Sequence, residues 1–257
     1  GDVLVPVGNI TSILLDTGDG EDRITIGALG NLTGDLVIDG GTGIDKITLG
    51  GNTTVGGDVD LDAEEMFFQN GQITAGGDGA ISATDSGNGS APGGADGLNL
   101  QNFDLTAGGN VTLEGQGGNG TSAGASGNAG IVLNTGSMIN AAGDITLRGT
   151  GGQSPRGGNF GVVFYSASSL AATGSGSILI EGTGGTGGNG SVGVYFAPTG
   201  SSATVANGTL TIHGTGGAGG NATHGLEIGV GTILSATGTG SIDIQGTGGG
   251  GNTSTGT

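Results

Sequence analysis

Apolar and polar positions alternate along this chain in short bursts, and the bursts recur. "VTLEGQGG" from Val111, "ITLRGTGG" from Ile145, "ILIEGTGG" from Ile178, "LTIHGTGG" from Leu210 and "IDIQGTGG" from Ile242 each space apolar residues two apart. That spacing predicts strands with one buried face. Successive copies stand 34, 33, 32 and 32 residues apart. A second set keeps the same period: "GLNL" from Gly97, "GIVL" from Gly130, "GVVF" from Gly161, "GVYF" from Gly193 and "GLEI" from Gly225. A third, weaker apolar patch follows at Leu105, Ile139, Leu170, Val205 and Ile233. Each period therefore reads as strand, Gly-rich loop, strand, short turn, strand, turn. The first 80 residues carry a shorter version, in which "DTGDGEDRITI" from Asp16 recurs as "DGGTGIDKITL" from Asp39 after 23 residues, and Asp62 follows after another 23.

Three short strands per period and strict alternation within each predict an all-β fold, a right-handed parallel β-helix. Its rungs have about 23 residues in the N-terminal part and about 32 elsewhere, the longer ones carrying a corner loop. A single rung cannot bury its apolar face, but stacked rungs place like on like. The expected inward ladder runs Leu100, Leu133, Phe164, Phe196 and Ile228. At about 4.8 Å per rung, nine rungs build a body about 40 Å long. No segment has a helical period with caps. One solenoid is expected over residues 1–257, with short acidic rungs in 1–80 and long rungs with Gly-rich loops in 81–257.

Composition sharpens this picture. Gly 67 in 257 residues would suit a disordered chain, but only 10% of the residues are charged, too few to keep an unfolded chain solvated. The formal charge is −18, and Arg23, Lys46, Arg148 and Arg156 are the strong cations. Nucleic acid and direct membrane insertion are excluded as expectations, since neither clustered Lys and Arg nor an apolar run of spanning length is present. Cysteine is absent, so neither a disulfide framework nor a thiolate metal site is available. The chain ends within a Gly-rich stretch and reads as a segment of a longer protein, with any anchor or export signal outside it.

Of the 22 carboxylates, 13 lie between Asp2 and Glu65. "GGTGIDKIT" at residues 40–48 fits the calcium-binding nonapeptide G-G-x-G-x-D-x-U-x, through Gly40, Gly41, Gly43, Asp45 and Ile47, and "TGDGEDRIT" nearly repeats it. The 23-residue period stacks Asp16, Asp39 and Asp62 in one column and Asp22 and Asp45 in another. At one strand spacing and an effective dielectric of about 20, each adjacent carboxylate pair costs about 3 kcal/mol before screening. Calcium, a hard cation with oxygen ligands, would remove that cost, so Asp16, Asp22, Asp39, Asp45 and Asp62 are candidate ligands. The alternative is solvated turns, with Arg23 and Lys46 neutralising part of the charge.

Other outward positions read as structural. Glu114, Arg148, Glu181, His213 and Gln245 form a ladder with Arg148 between two glutamates. His213 reads as a surface neighbour of Glu181, and His224 has no partner nearby in sequence. Thr25, Thr48, Thr112, Thr146 and Thr211 read as one threonine face, interrupted by Leu179 and Asp243, which weakens an ice-binding reading. Val132, Val163 and Tyr195 form an apolar stripe beside Glu227, either covered by the loops or exposed as a contact face. "DVDLDAEE", residues 58–65, offers carboxylates, but alternation explains Asp58, Asp60 and Asp62 as one outward face, so no enzyme is expected.

The alternation of "GDITLRGTGG" with "GNFGVVFYSASSLAATGSG" resembles the strand-repeat regions of filamentous-haemagglutinin-like and autotransporter-like giant bacterial surface proteins. The resemblance implies an extracellular or cell-surface location and an adhesive or structural stalk. Its implied partners are the protein itself, end to end or laterally, or a host or cell-surface glycan or protein. A self-assembling fibre or sheath subunit and a carbohydrate-binding or carbohydrate-cleaving β-helix are the alternatives.

Overall fold

The structure is a computed structural model, and it describes residues 10–83, 96–120 and 128–250. It is a parallel β-helix. Each rung has three legs. The first legs form a nine-stranded parallel sheet from Ile13–Asp16 to Ser241–Thr247, one strand per rung. The second and third legs share a 13-stranded sheet that wraps a corner. In three rungs these two legs are one bent strand, Lys46–Val55, Glu65–Ala75 and Leu98–Ala107. The bend falls at Gly50–Gly51 in the first and near Asn70 (φ 51°) and Asn102 (φ 49°) in the other two, Asn70 being the extra, bulged residue opposite Gly50 and Gly51. Asparagine tolerates this left-handed conformation better than most residues, and Asn102 Nδ2 donates to Asn70 Oδ1 at 3.0 Å.

Strand alternation builds the core. In Val111–Gln116 the side chains of Val111 and Leu113 are buried while Thr112 and Glu114 reach the surface. The expected inward ladder is in register throughout: Leu49, Phe68, Leu100, Leu133, Phe164, Phe196 and Ile228 face one another rung by rung. Phe164 and Phe196 stack with ring centroids 4.4 Å apart and planes 7° from parallel. Ile228 is 45% exposed in the last rung.

The third leg departs from the expected register. Leu105, Ile139 and Leu170 stack as predicted, but the column continues through Ala203 and Leu234 rather than Val205 and Ile233. Val205 belongs two places along, opposite Ala172 and Ala236, and Ile233 points outward at 60% exposure. The turn through Pro198–Gly200 holds one residue more than its neighbours and sets Ala203 in the column, with Val205 two positions along on the same buried face; Ile233 stands one position before Leu234 and so points to the other face. The threonines also divide. Thr25 and Thr48 lie on the second-leg sheet, whereas Thr112, Thr146 and Thr211 lie on the first.

The Gly-rich loops follow the first leg and stack on one another. Three of them pair as a small sheet of Gln153–Ser154, Thr186–Gly187 and Ala218–Gly219. Asn159 Nδ2 staples this layer, donating to Ser154 O at 3.2 Å and Thr186 O at 2.7 Å.

A polar ladder runs along the corner where every first leg begins. The N–H of Asp35 donates to Ser12 Oγ, that of Asp58 to Asp35 Oδ1 and that of Asp78 to Asp58 Oδ1, at 2.8–3.0 Å. Asn110, Asp144, Ser177 and Thr209 continue the series at 2.6–3.1 Å, and Thr209 Oγ1 meets Ser241 Oγ at 3.0 Å in the ninth rung. From Ser12 to Ser177 each side chain thus caps the next rung's N–H. The residue before each capped N–H is glycine for the same reason: a Cβ on Gly57, Gly77 or Gly109 would fall on the carboxylate of Asp35, Asp58 or Asp78. Asp58 belongs to this corner, not to the outward face of Asp60 and Asp62.

Candidate functional site

The five candidate calcium ligands lie in two separate columns. Asp16, Asp39 and Asp62 are in register on the outward face of the first-leg sheet. Asp16 and Asp39 are turn-closing residues: their Oδ1 atoms accept the N–H of Gly18 and Gly41 at 2.9 and 2.8 Å. The column then runs on through Ser82, Glu114, Arg148, Glu181, His213 and Gln245, so the two ladders read separately in the sequence are one. Arg148 is paired as expected, with Nε 2.9 Å from Glu181 and Nη1 3.6 Å from Glu114. His213 sits beside Glu181 in register, but the carboxylate in ion-pair reach is Asp243, at 3.9 Å. His224 has a partner too, Glu227 at 3.3 Å.

Burial, and after it the carboxylates of Asp39, Asp60 and Glu114, push the Asp62 carboxyl above the usual aspartate range, against a hydrogen bond from Ser82. A raised folded-state value means that the native protein holds this proton to higher pH than the unfolded chain does. The native state therefore loses stability as pH rises through the window just above 3.8. Asp62→Asn is expected to flatten the stability profile in that window and to raise the melting temperature at pH 7. An unchanged profile would show that the column's charge is screened.

Asp22 and Asp45 occupy the loop corner, where Asp19–Gly20 and Thr42–Gly43 pair and Gly18, Gly20, Gly41 and Gly43 all have positive φ. Asp45 is fully buried, its Oδ1 accepting the Asp22 N–H at 2.7 Å. Gly40 leaves room for it, since a Cβ there would lie 2.8 Å from Asp45 Cβ. The third rung lacks the corner loop, and Glu64, 4% exposed, fills the space and accepts the Asp45 N–H at 2.7 Å. Glu64 went unseen in the sequence because "DAEE" has lost the glycines that mark the first two corners. Arg23 and Lys46 stand in register just outside, and Lys46 pairs with Glu65.

Two oxygens of this corner, Asp22 Oδ2 and Asp45 Oδ2, are buried without a hydrogen-bond partner. An unpaired buried carboxylate oxygen is costly unless a cation or proton meets it. The hard oxygen set fits calcium. Among the described residues no three His, Asp or Glu side chains converge on one point. A cation here would take its further ligands from backbone carbonyls or water.

The apolar stripe expected from the sequence lies on the outer face of the second legs. Asn99, Val132, Val163, Tyr195 and Glu227 are in register there. The apolar stripe is covered: Val132 and Val163 are buried and pack with Phe160, Tyr165 and Tyr195. Phe160 stacks on Tyr195 at 5.2 Å, and Tyr165 meets both rings edge-on at 6.5 and 6.2 Å. Beside this cluster opens a cleft of about 460 Å³, with Asp96, Asn99 and Asn134 on its polar side and Arg156 among its lining residues. Asp96 is fixed by the Ala129 N–H at 3.0 Å and by Asn99 Nδ2 at 2.8 Å, and burial raises its carboxyl above the usual range. Burial also pushes the Tyr165 hydroxyl up to about 12, with Tyr195 and Asp96 adding to the effect.

Together these features define a parallel β-solenoid with a capped polar corner, an acidic loop corner and a lateral aromatic cleft. Comparison with family models, with curated proteins and with solved structures finds no match to this chain.

Proposed function

We propose that this chain is a non-catalytic stalk segment of an extracellular or bacterial surface protein, built like the strand-repeat regions of filamentous-haemagglutinin-like and autotransporter-like proteins. The observation that carries the reading is the axial register: nine first legs share one sheet and one polar corner, and an aromatic-aliphatic core column runs through the second legs beside them. Such a body supplies reach and a regular surface, and each rung depends mainly on its neighbours. Excising one whole rung, residues 145–177, tests this in the full-length protein on cells. A stalk keeps its β-rich circular dichroism and its surface display while losing about 4.8 Å of length. Loss of display or of folding would count against it.

Calcium at the Asp22–Asp45 corner is part of the proposal and rests on the two orphaned carboxylate oxygens. The melting temperature is expected to rise on moving from chelator to millimolar calcium, and saturation at 100 times Kd corresponds to about 2.7 kcal/mol. Asp45→Asn should abolish that rise. Equal melting in chelator and in calcium would leave the corner a purely structural turn.

A further inference from the structure

We propose that the cleft between Asp96, Asn134, Arg156, Phe160 and Tyr165 binds a short neutral saccharide. The proposal is independent of the stalk reading, since a rod without a ligand would have the same length and register. It rests on the way the cleft divides its chemistry. One side offers aromatic rings locked by mutual packing, Phe160 against Tyr195 and Tyr165 edge-on to both. These give rigid apolar faces with little entropy left to lose, as the C–H face of a sugar ring requires. The other side holds an acceptor set of Asp96 and Asn99, pre-oriented by their own hydrogen bond, and donors on Arg156 and Asn134. A hydroxyl group both donates and accepts, so adjacent donors and acceptors match a polyol better than they match an ion. The volume of about 460 Å³ falls within the usual range of about 300–1,000 Å³ for small-molecule pockets.

Other occupants fit less well. The floor strands Leu98–Ala107, Ile131–Asn134 and Val162–Phe164 are interior to the 13-stranded sheet, so an extended peptide has no free edge to pair with. A polyanion would meet a net charge of −18 and the Asp96 carboxyl group, with Arg156 the single strong cation at the cleft. Among the described lining residues a divalent metal would find one carboxylate, that of Asp96.

The chain supplies its own reporter. It has Tyr 2 and Trp 0, and both tyrosines, Tyr165 and Tyr195, belong to this cluster. Tyrosine emission should therefore change saturably when the protein is titrated with at least one of cellobiose, maltose, lactose or N,N′-diacetylchitobiose. Phe160→Ala should weaken that binding about tenfold or more, equivalent to about 1.4 kcal/mol. Tyr165→Phe, which keeps the ring packing and leaves Tyr195 as reporter, should weaken it less, and this second variant retains the test if Phe160→Ala does not fold. Circular dichroism checks each variant's fold. The proposal is overturned if none of the four sugars gives a saturable change. It is also overturned if only charged oligogalacturonides do, or if binding is unaltered in both variants.

Discussion

Replacing Phe164 with alanine is expected to destabilise the rod by about 3–5 kcal/mol, the range for removing a large aromatic from a packed core. Phe164 is fully buried, and its ring stacks face to face on that of Phe196 one rung away. On its other side it meets Leu133, so truncation opens a void between two rungs that neither neighbour can close. Phe164→Leu should cost much less, because volume is largely kept. In a solenoid stability is a sum of rung and interface contributions, so the damage should be local. Urea unfolding followed by circular dichroism is expected to split, with the rungs on either side of Phe164 melting separately. A cost below about 1 kcal/mol would mean that the sheet hydrogen bonds, not the core column, hold the rungs together.

The second large effect concerns the capped corner and has a sign that a double-mutant cycle can read. Gly77→Ala should cost about 1–3 kcal/mol, because its Cβ lands on Asp58 Oδ1 and neither backbone has room to move. Asp58→Ala should cost about 1–2 kcal/mol by leaving the Asp78 N–H without its acceptor. Together they should cost less than the sum, because removing the carboxylate vacates the space that the new methyl group needs. Additivity in thermal or urea melts would show that glycine is present only for chain flexibility, and that the carboxylate does not set the spacing of the rungs.

Much of the architecture could be read from the residues, for a physical reason: in a parallel β-helix the sequence period and the spatial period coincide. Leu100, Leu133, Phe164, Phe196 and Ile228 could be aligned by counting, and so could Asp16, Asp39 and Asp62. Counting failed where a turn changed length. Ala203 replaces a large apolar residue at just the rung where the extra turn residue enters, so Val205, a core residue of the next column, looked like the continuation of Leu170. The capped corner was present as repeated Gly-Asp, Gly-Asn and Gly-Ser pairs, but such pairs also read as ordinary turns, and only the hydrogen bonds to the next rung distinguish them. Part of the aromatic cleft was legible as the in-register stripe of Val132, Val163 and Tyr195, but Asp96, Arg156, Phe160 and Tyr165 lie in or beside the loops, and their approach to that stripe depends on loop paths that counting does not give.

The direction of the hydrogen bonds has a mechanical meaning. Both the strand ladders and the capped corner join each rung to the next along the rod axis. Tension applied at the two ends would therefore load those bonds one rung at a time instead of shearing a whole sheet at once. Each rung that yields would release a peptide of 20 to 34 residues, on the order of 70–120 Å of slack when drawn out. A surface appendage built this way would give ground in steps under pull and absorb the work, with the remaining rungs still folded.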